Sequence, residues 1–277
     1  MKAAFLKDDA LLADITRARV ERRTRLWWLG QSGFLLVTRT GTILFDPYLS
    51  DSLSKKYAAT DKPHTRVTER VIAPGRLTGI DVITSSHNHT DHLDAETLLP
   101  LLGANPRATF VIPRANRAFV LERLRKVENP LVDIDAGEQI TVAGIEFHGI
   151  SAAHNTVERD ERGCCRFLGY VARLAGKSIY HSGDTLLHDG LIAALSPFQP
   201  EVALVPINGN QPERRVAGNL DGREAARLSH EVKAGLAIPH HFDMFEFNTA
   251  TPVDFESECR RLGQKFHTLR IGEGIDL

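Results

Sequence analysis

The stretch Thr84–Asp94, TSSHNHTDHLD, follows a strand-like run and puts His87, His89, Asp91 and His92 within six positions. A strand that stops alternating near Thr84 lets the next loop turn several side chains the same way, so one short segment offers four metal-ligand atoms. Imidazole suits borderline ions such as zinc, and the added carboxylate also admits manganese or iron, so the pattern marks a transition-metal site without naming the ion. Four residues do not complete two metal shells, and further candidates follow strand-like runs in order: His154 in SAAHN, Asp184 in YHSGDT, and His240 with His241 in AIPHHFD. Ligands placed at loop starts along one sheet edge can converge on one pocket.

The alternation of signals around this segment predicts the fold. Asp8 and Asp9 are placed to N-cap a helix over 8–23, with Leu11, Leu12, Ile15 and Val20 at helical spacing. Strands are expected at Arg25–Leu29, Gly33–Thr38 and Thr42–Asp46, forming an antiparallel meander, before a long irregular stretch from Pro47 to Gly79. Beyond it, strands at Asp81–Thr84 and Thr109–Ile112 alternate with helices at Ala95–Leu102 and Arg114–Lys126. The second half reads as strands at Ile145–Ile150, Phe167–Leu174 and Ser178–Tyr180, then a helix near Leu191, a strand at Val202–Val205, a helix over Asp221–Val232 and a strand at Leu236–Ile238. Two sheets face to face, covered by helices, accommodate both halves in one domain over 1–277, with 1–24 packed on it as an N-terminal helix.

Bulk composition narrows the function classes. Thirty-four Lys and Arg against 35 Asp and Glu give no basic excess to favour a phosphate backbone, so no nucleic-acid partner is expected. The first residues alternate charge and apolar character and give no signal or membrane helix, which points to the cytoplasm and to no membrane partner. Three cysteines, two of them adjacent, read as reduced thiols. A homo-oligomer is left open.

WWLGQSGFLL, FDPYLSDS, SSHNHTDHLD, YHSGDT, VPINGN, GNLDGREAARL and IPHHFDMFEFN, together with the order HxHxDH, His, Asp, His, resemble the metallo-β-lactamase superfamily, within it the L-ascorbate-6-phosphate lactonase branch. The similarity runs from about Leu26 to Gly272. It implies an α/β four-layer αββα sandwich with two divalent ions, zinc or manganese. Carried over by position, His87, His89 and His154 hold one ion, Asp91, His92 and His241 the other, and Asp184 bridges them. The family's P-x-H spacing selects His241 over His240. The implied reaction is hydrolysis of a lactone of a small anionic sugar, phosphorylated or not, by attack of a metal-bridging hydroxide, with Asp91 also a catalytic proton relay.

Two dications outweigh Asp91, Asp184 and one hydroxide, leaving a positive centre that draws a small anionic substrate. Lys56 and Arg214, from the pairs Lys55–Lys56 and Arg214–Arg215, are candidates for a substrate phosphate. Asn208, Asn210 and His181 are candidates for the pocket wall, set against ordinary turn and core roles. Within the same fold, a tRNA-processing-type phosphodiesterase is disfavoured by the near-neutral charge. Oxygen-reducing diiron relatives carry glutamate where this chain keeps His89. A mononuclear iron persulfide dioxygenase and a non-catalytic metal-stabilised binding module complete the alternatives.

Overall fold

A computed structural model describes residues 1–125 and 127–277. Helix α1 (Asp8–Val20) carries Asp8 and Asp9 in its first turn and Arg17 and Arg19 in its last, matching the helix dipole, and buries Leu11, Ile15 and Ala18. Its N-cap is Lys7, so the two aspartates lie inside the helix, not at the cap that the sequence suggests.

The expected meander is present: β1 (Arg25–Gly30), β2 (Gly33–Val37) and β3 (Thr42–Phe45) pair antiparallel in order. The irregular stretch after it contains a short helix, α2 (Ser52–Tyr57), which buries only Leu53. Strand β4 (Val82–Thr84), helix α3 (Ala95–Ala104), strand β5 (Thr109–Pro113), helix α4 (Arg117–Leu124) and strand β6 (Leu131–Ile134) follow. The helix expected to run to Lys126 ends at Leu124, and Lys126 lies outside the described residues.

The second half comprises β7 (Gln139–Val142), β8 (Ile145–Ser151), β9 (Leu168–Leu174), β10 (Lys177–His181), α5 (Leu191–Leu195) and β11 (Val202–Pro206). It continues with α6 (Gly222–Glu231), whose capping box joins Asp221 and Glu224, then β12 (Leu236–His240), α7 (Val253–Leu262) and β13 (Gly274–Asp276).

Two mixed sheets result, one ordered β13-β1-β2-β3-β4-β5-β6 and the other β12-β11-β10-β9-β8-β7. Strands such as β2 (GFLLV) and β11 (VALVP) are buried at every position, as expected of strands covered on both faces. Helix α1 packs by β2, whereas α6 lies on β11 and β12 and packs against α7, giving the αββα order of layers. One apolar cluster spans both sheets. The carboxyl ends of β4, β8, β10 and β12 each lead directly into one of the loops that carry the candidate ligands. No helix among the described residues is long and apolar enough to cross a membrane.

Candidate metal centre

After β4 the chain makes one tight turn, in which the His92 and Leu93 amides donate to the His89 carbonyl at 3.1 and 2.8 Å. That turn directs His87 and His89 to one side and Asp91 and His92 to the other. His154 joins the first pair, and the ligand atoms of these three lie within 4.8 Å of one another. Asp184 and His241 join the second pair within the same limit. Asp184 reaches both groups: Oδ1 lies 3.3 Å from His92 Nε2, and Oδ2 lies 3.4 Å from His241 Nε2 and 3.7 Å from His154 Nε2. All seven residues predicted as ligands are therefore brought together.

The cluster offers the donors that a cation site requires. His87 Nε2, His92 Nε2 and Asp184 Oδ1 are buried with no hydrogen-bond partner, although a potential partner for two of them is only 3.3 Å away. An orphaned buried polar atom costs about 1–3 kcal/mol; a proton on His92 relieves the His92 and Asp184 atoms, whereas a borderline divalent ion, which suits N and O donors, would satisfy all three.

The charge balance agrees. Burial holds the first-group imidazoles neutral, with His87 well below its usual range, His89 at about 4 and His154 lowered, so their lone pairs are free. In the second group burial opposes charge but loses. The Asp184 and Asp91 carboxylates lift His92 well above its usual range and hold His241 at about 9. Against the same burial, the neighbouring histidines keep Asp184 and Asp91 well below the ordinary carboxylate range. In a chain without an ion, protons supply the positive charge that this group of carboxylates demands.

A second layer of side chains fixes the candidate ligands. Asp46, wholly buried just past β3, lies 2.7 Å from His92 Nδ1 and accepts hydrogen bonds from Thr84 Oγ1 at 2.9 Å, from the Ser86 amide at 3.1 Å, and from the Ser86 hydroxyl. With Nδ1–H so engaged, His92 presents Nε2 to the centre. His154 is held likewise, its Nδ1 donating to the Gly218 carbonyl at 2.7 Å. Gln31 Nε2 donates to Asp91 Oδ2 at 2.9 Å and lies 3.0 Å from His241 Nε2. Gln31, Asp46 and His241 all have positive φ, at 49°, 37° and 62°. Left-handed backbone costs energy at a non-glycine residue, and the hydrogen bonds around these three hold it in place.

His240 turns away from the ligand group. Its ring stacks on His181 with centroids 5.5 Å apart and meets the Ser32 hydroxyl at 3.2 Å. His181 is itself fully buried, donates to the Ser32 carbonyl at 2.8 Å and does not reach the cavity.

A cavity of about 530 Å³ opens over the cluster. Lys56 lines it as the sequence suggests, but Asn208, Asn210 and Arg214 do not. Arg214 is turned inward, donating to the Asn208 and Thr249 carbonyls at 2.6 and 2.8 Å, and Asn208 is buried against Asn248 at 3.0 Å. Asn210 is exposed beside Gly218. Arg215, next to Arg214, lines the cavity instead, with Lys62 and Arg123. Among the described residues the only carboxylates lining it are Asp91 and Asp184. Sequence reasoning missed Asp46, Gln31, Lys62 and Arg123. For Asp46 a signal existed, an aspartate directly before proline where a strand ends.

Two face-to-face mixed sheets, with a His/Asp cluster beyond the carboxyl ends of their strands, define the class: this is the metallo-β-lactamase fold. The chain belongs to the Beta-lactamase superfamily domain family, whose profile matches residues 41–242. It is 29% identical over 261 residues to a UPF0173 metal-dependent hydrolase of Rubrobacter xylanophilus, covering 91% of this chain and 96% of the relative. Among solved structures, a possible metal-dependent hydrolase of Veillonella parvula superposes with a TM-score of 0.72 at 16% identity, over 92% of this chain and 100% of that one. CmlA, a diiron β-hydroxylase of Streptomyces venezuelae, superposes at 0.68 and 15% identity, over 92% of this chain and 54% of that one. These two likenesses establish the shared fold; the chemistry has to be argued from the site.

Proposed function

We propose that the protein is a metal-dependent hydrolase that holds two divalent ions, zinc or manganese, and opens a lactone carried by a small anionic molecule. The observation that carries this reading is the convergence of seven buried or cavity-facing ligand side chains, with their unpartnered atoms, at the floor of a cavity rimmed by Lys56, Lys62, Arg123 and Arg215. His87, His89 and His154 would hold one ion and Asp91, His92 and His241 the other, with Asp184 shared. Bound there, the ions supply Lewis acidity and a water of lowered pKa.

The chain's own residues do the rest. Gln31 fixes Asp91 by the bond to Oδ2, while Asp91 stays 14% exposed, so this carboxylate can relay a proton at the cavity floor. Asp46 and the Gly218 carbonyl set the tautomers of His92 and His154. Of the cationic rim, Arg215 is paired with Asp61 and Arg123 donates to the Asn88 and Leu93 carbonyls, so Lys56 and Lys62, without a carboxylate partner among the described residues, are the charges that orient an anion over the centre. A cavity of this volume suits a small molecule better than a tRNA. A phosphorylated sugar is the anionic lactone that the sequence resemblance implies. The relatives' description as metal-dependent hydrolases supports the reaction class. Three buried free cysteines fit work in the reducing cytoplasm.

The test is a hydrolysis panel of lactones, thioesters, β-lactams and phosphodiesters on protein stripped of metal and then given zinc or manganese. Metal-dependent opening of lactones, faster for anionic members, is expected. Turnover of phosphodiesters alone, or oxygen consumption with iron and no hydrolysis, would overturn the reading.

A further inference from the structure

The cavity has a second chemical feature that the metal centre does not use. Its wall beside the cluster is aromatic. His64 packs against Tyr57 with centroids 4.7 Å apart, and edge-on against Phe245 and Phe247 at 5.4 and 5.3 Å; all four line the cavity. This wall is rigidly mounted. The Glu246 amide donates to the Thr65 carbonyl at 3.0 Å and the Val67 amide to the Met244 carbonyl at 2.8 Å, so the loop bearing His64 is laced to the segment that follows His241. The tautomer of His64 is also set: Nδ1 donates to the Lys62 carbonyl at 2.9 Å, which leaves Nε2 as an acceptor.

Beside this wall stand cations. Lys56 lies over the Tyr57 ring at 5.1 Å and contacts only the Thr90 hydroxyl, at 3.3 Å, and Lys62 reaches the Arg215 carbonyl. Among the described residues neither lysine has a carboxylate partner, so both charges remain available to a ligand. Among the described residues, the lining carboxylates that could read sugar hydroxyls are confined to the two in the metal cluster. Gln31 donates to Asp91, and Asn248 Oδ1 already accepts from Asn208 and lies 3.4 Å from Arg214. A flat apolar ring finds aromatic faces on this wall at little desolvation cost.

We infer that the substrate is an anion carrying an aromatic or other flat apolar ring, the ring lying on the Tyr57–His64–Phe247 wall and the anion between Lys56 and Lys62. This deepens the anionic-substrate part of the proposed function and replaces the sugar body with an aryl one. His64 Nε2 then accepts a hydrogen bond from an N–H or O–H on the ring or its linker.

Binding of non-hydrolysable probes to the full chain tests this by calorimetry: phenylphosphonate, methylphosphonate and glucose 6-phosphate, each with metal-free and metal-loaded protein. Phenylphosphonate should bind about tenfold tighter than either of the others in both forms, since a buried ring adds apolar contact that a methyl or a polyol lacks. Phe247→Ala should erase the phenyl advantage and leave methylphosphonate unchanged, and Lys56→Ala should weaken all three. Tyr57→Leu provides the same comparison on α2, independent of how Phe247→Ala folds. Equal binding of phenyl and methyl probes, tightest binding of glucose 6-phosphate, or equal loss of all probes in Phe247→Ala would overturn the inference. Because the preference is also read without metal, failure of the hydrolase reading shows separately, as absence of metal uptake with the phenyl preference intact.

Discussion

Replacing Asp46 by asparagine tests whether the layer behind the ligands sets the metal centre. Asp46 Oδ2 faces the His92 ring nitrogen at 2.7 Å, the Ser86 hydroxyl, and the Ser86 amide at 3.1 Å; Oδ1 faces the Thr84 hydroxyl at 2.9 Å and the same amide. An asparagine can be placed in two ways. With its oxygen toward His92, the bond survives but loses its charge, and the new NH2 meets the Ser86 N–H, which cannot turn away. With its NH2 toward His92, Nδ1 must accept, and the imidazole proton moves to Nε2, the atom needed for a metal. Exchanging a charge-assisted bond for a neutral one costs roughly 1 kcal/mol, and losing the outer partner of a ligating histidine typically lowers metal affinity by about 10- to 100-fold. The expected loss is therefore about 1.4–2.8 kcal/mol of binding free energy. Competition against a chelator of known affinity measures it, with circular dichroism to confirm the fold. An Asp46→Asn protein that folds normally and binds metal within about twofold of the parent would refute the reasoning.

Three further outcomes are expected. His241→Ala should lose one ion per chain while His240→Ala keeps both, read by elemental analysis after dialysis; the reverse pattern would mean that the stacked His181–His240 pair, not His241, faces the metal. Metal uptake should expel protons, roughly two near neutral pH, because His92 and His241 hold raised pKa values in the metal-free chain and must lose their protons to ligate. Affinity should accordingly rise with pH, and calorimetric heats that do not vary with buffer ionisation enthalpy would contradict it. Asp14 tests a structural carboxylate: burial would raise its pKa, but Trp27 Nε1 at 2.9 Å, Arg17 and Arg25 hold it below the usual value. Its contribution is thus complete above an unfolded-state pKa of about 4 and is lost as pH falls through the depressed folded value, so Asp14→Asn should flatten the loss of urea resistance below about pH 4. An acid limb of unchanged slope would remove that role.

What could be read from the sequence follows from how local each signal is. HxHxDH lies within one loop after one strand, so its four side chains declare themselves by spacing alone. The later ligands announce themselves because each follows a β-rich run. Asp46 and Gln31 act on residues 46 and 60 positions away, and in the sequence they are only a strand end and a turn. Arg214 and Arg215 are indistinguishable as a pair. The αL conformation of Arg215, at φ 51°, ends a short turn and sends neighbouring side chains to opposite sides, one to the Asn208 carbonyl and the other to the cavity.

The missed elements are those with weak patterns. Strands β6 and β7 are edge strands with mostly half-buried or exposed positions, β13 has three residues, and α2 buries one leucine within a lysine- and serine-rich loop. Helix α7 did carry a signal, with Phe255 and Cys259 four apart on its buried side, but its high charge masked it. The aromatic wall unites residues 57, 64, 245 and 247, which only the pairing of the two loops brings together.

In the proposed function this cluster holds two divalent ions. The most direct measurement is elemental analysis of the full chain purified without chelator, followed by titration of stripped protein with zinc and with manganese. Two equivalents per chain, falling in both His89→Ala and Asp184→Asn, is the predicted result; a single equivalent, or none, or undiminished uptake in both variants, would contradict it.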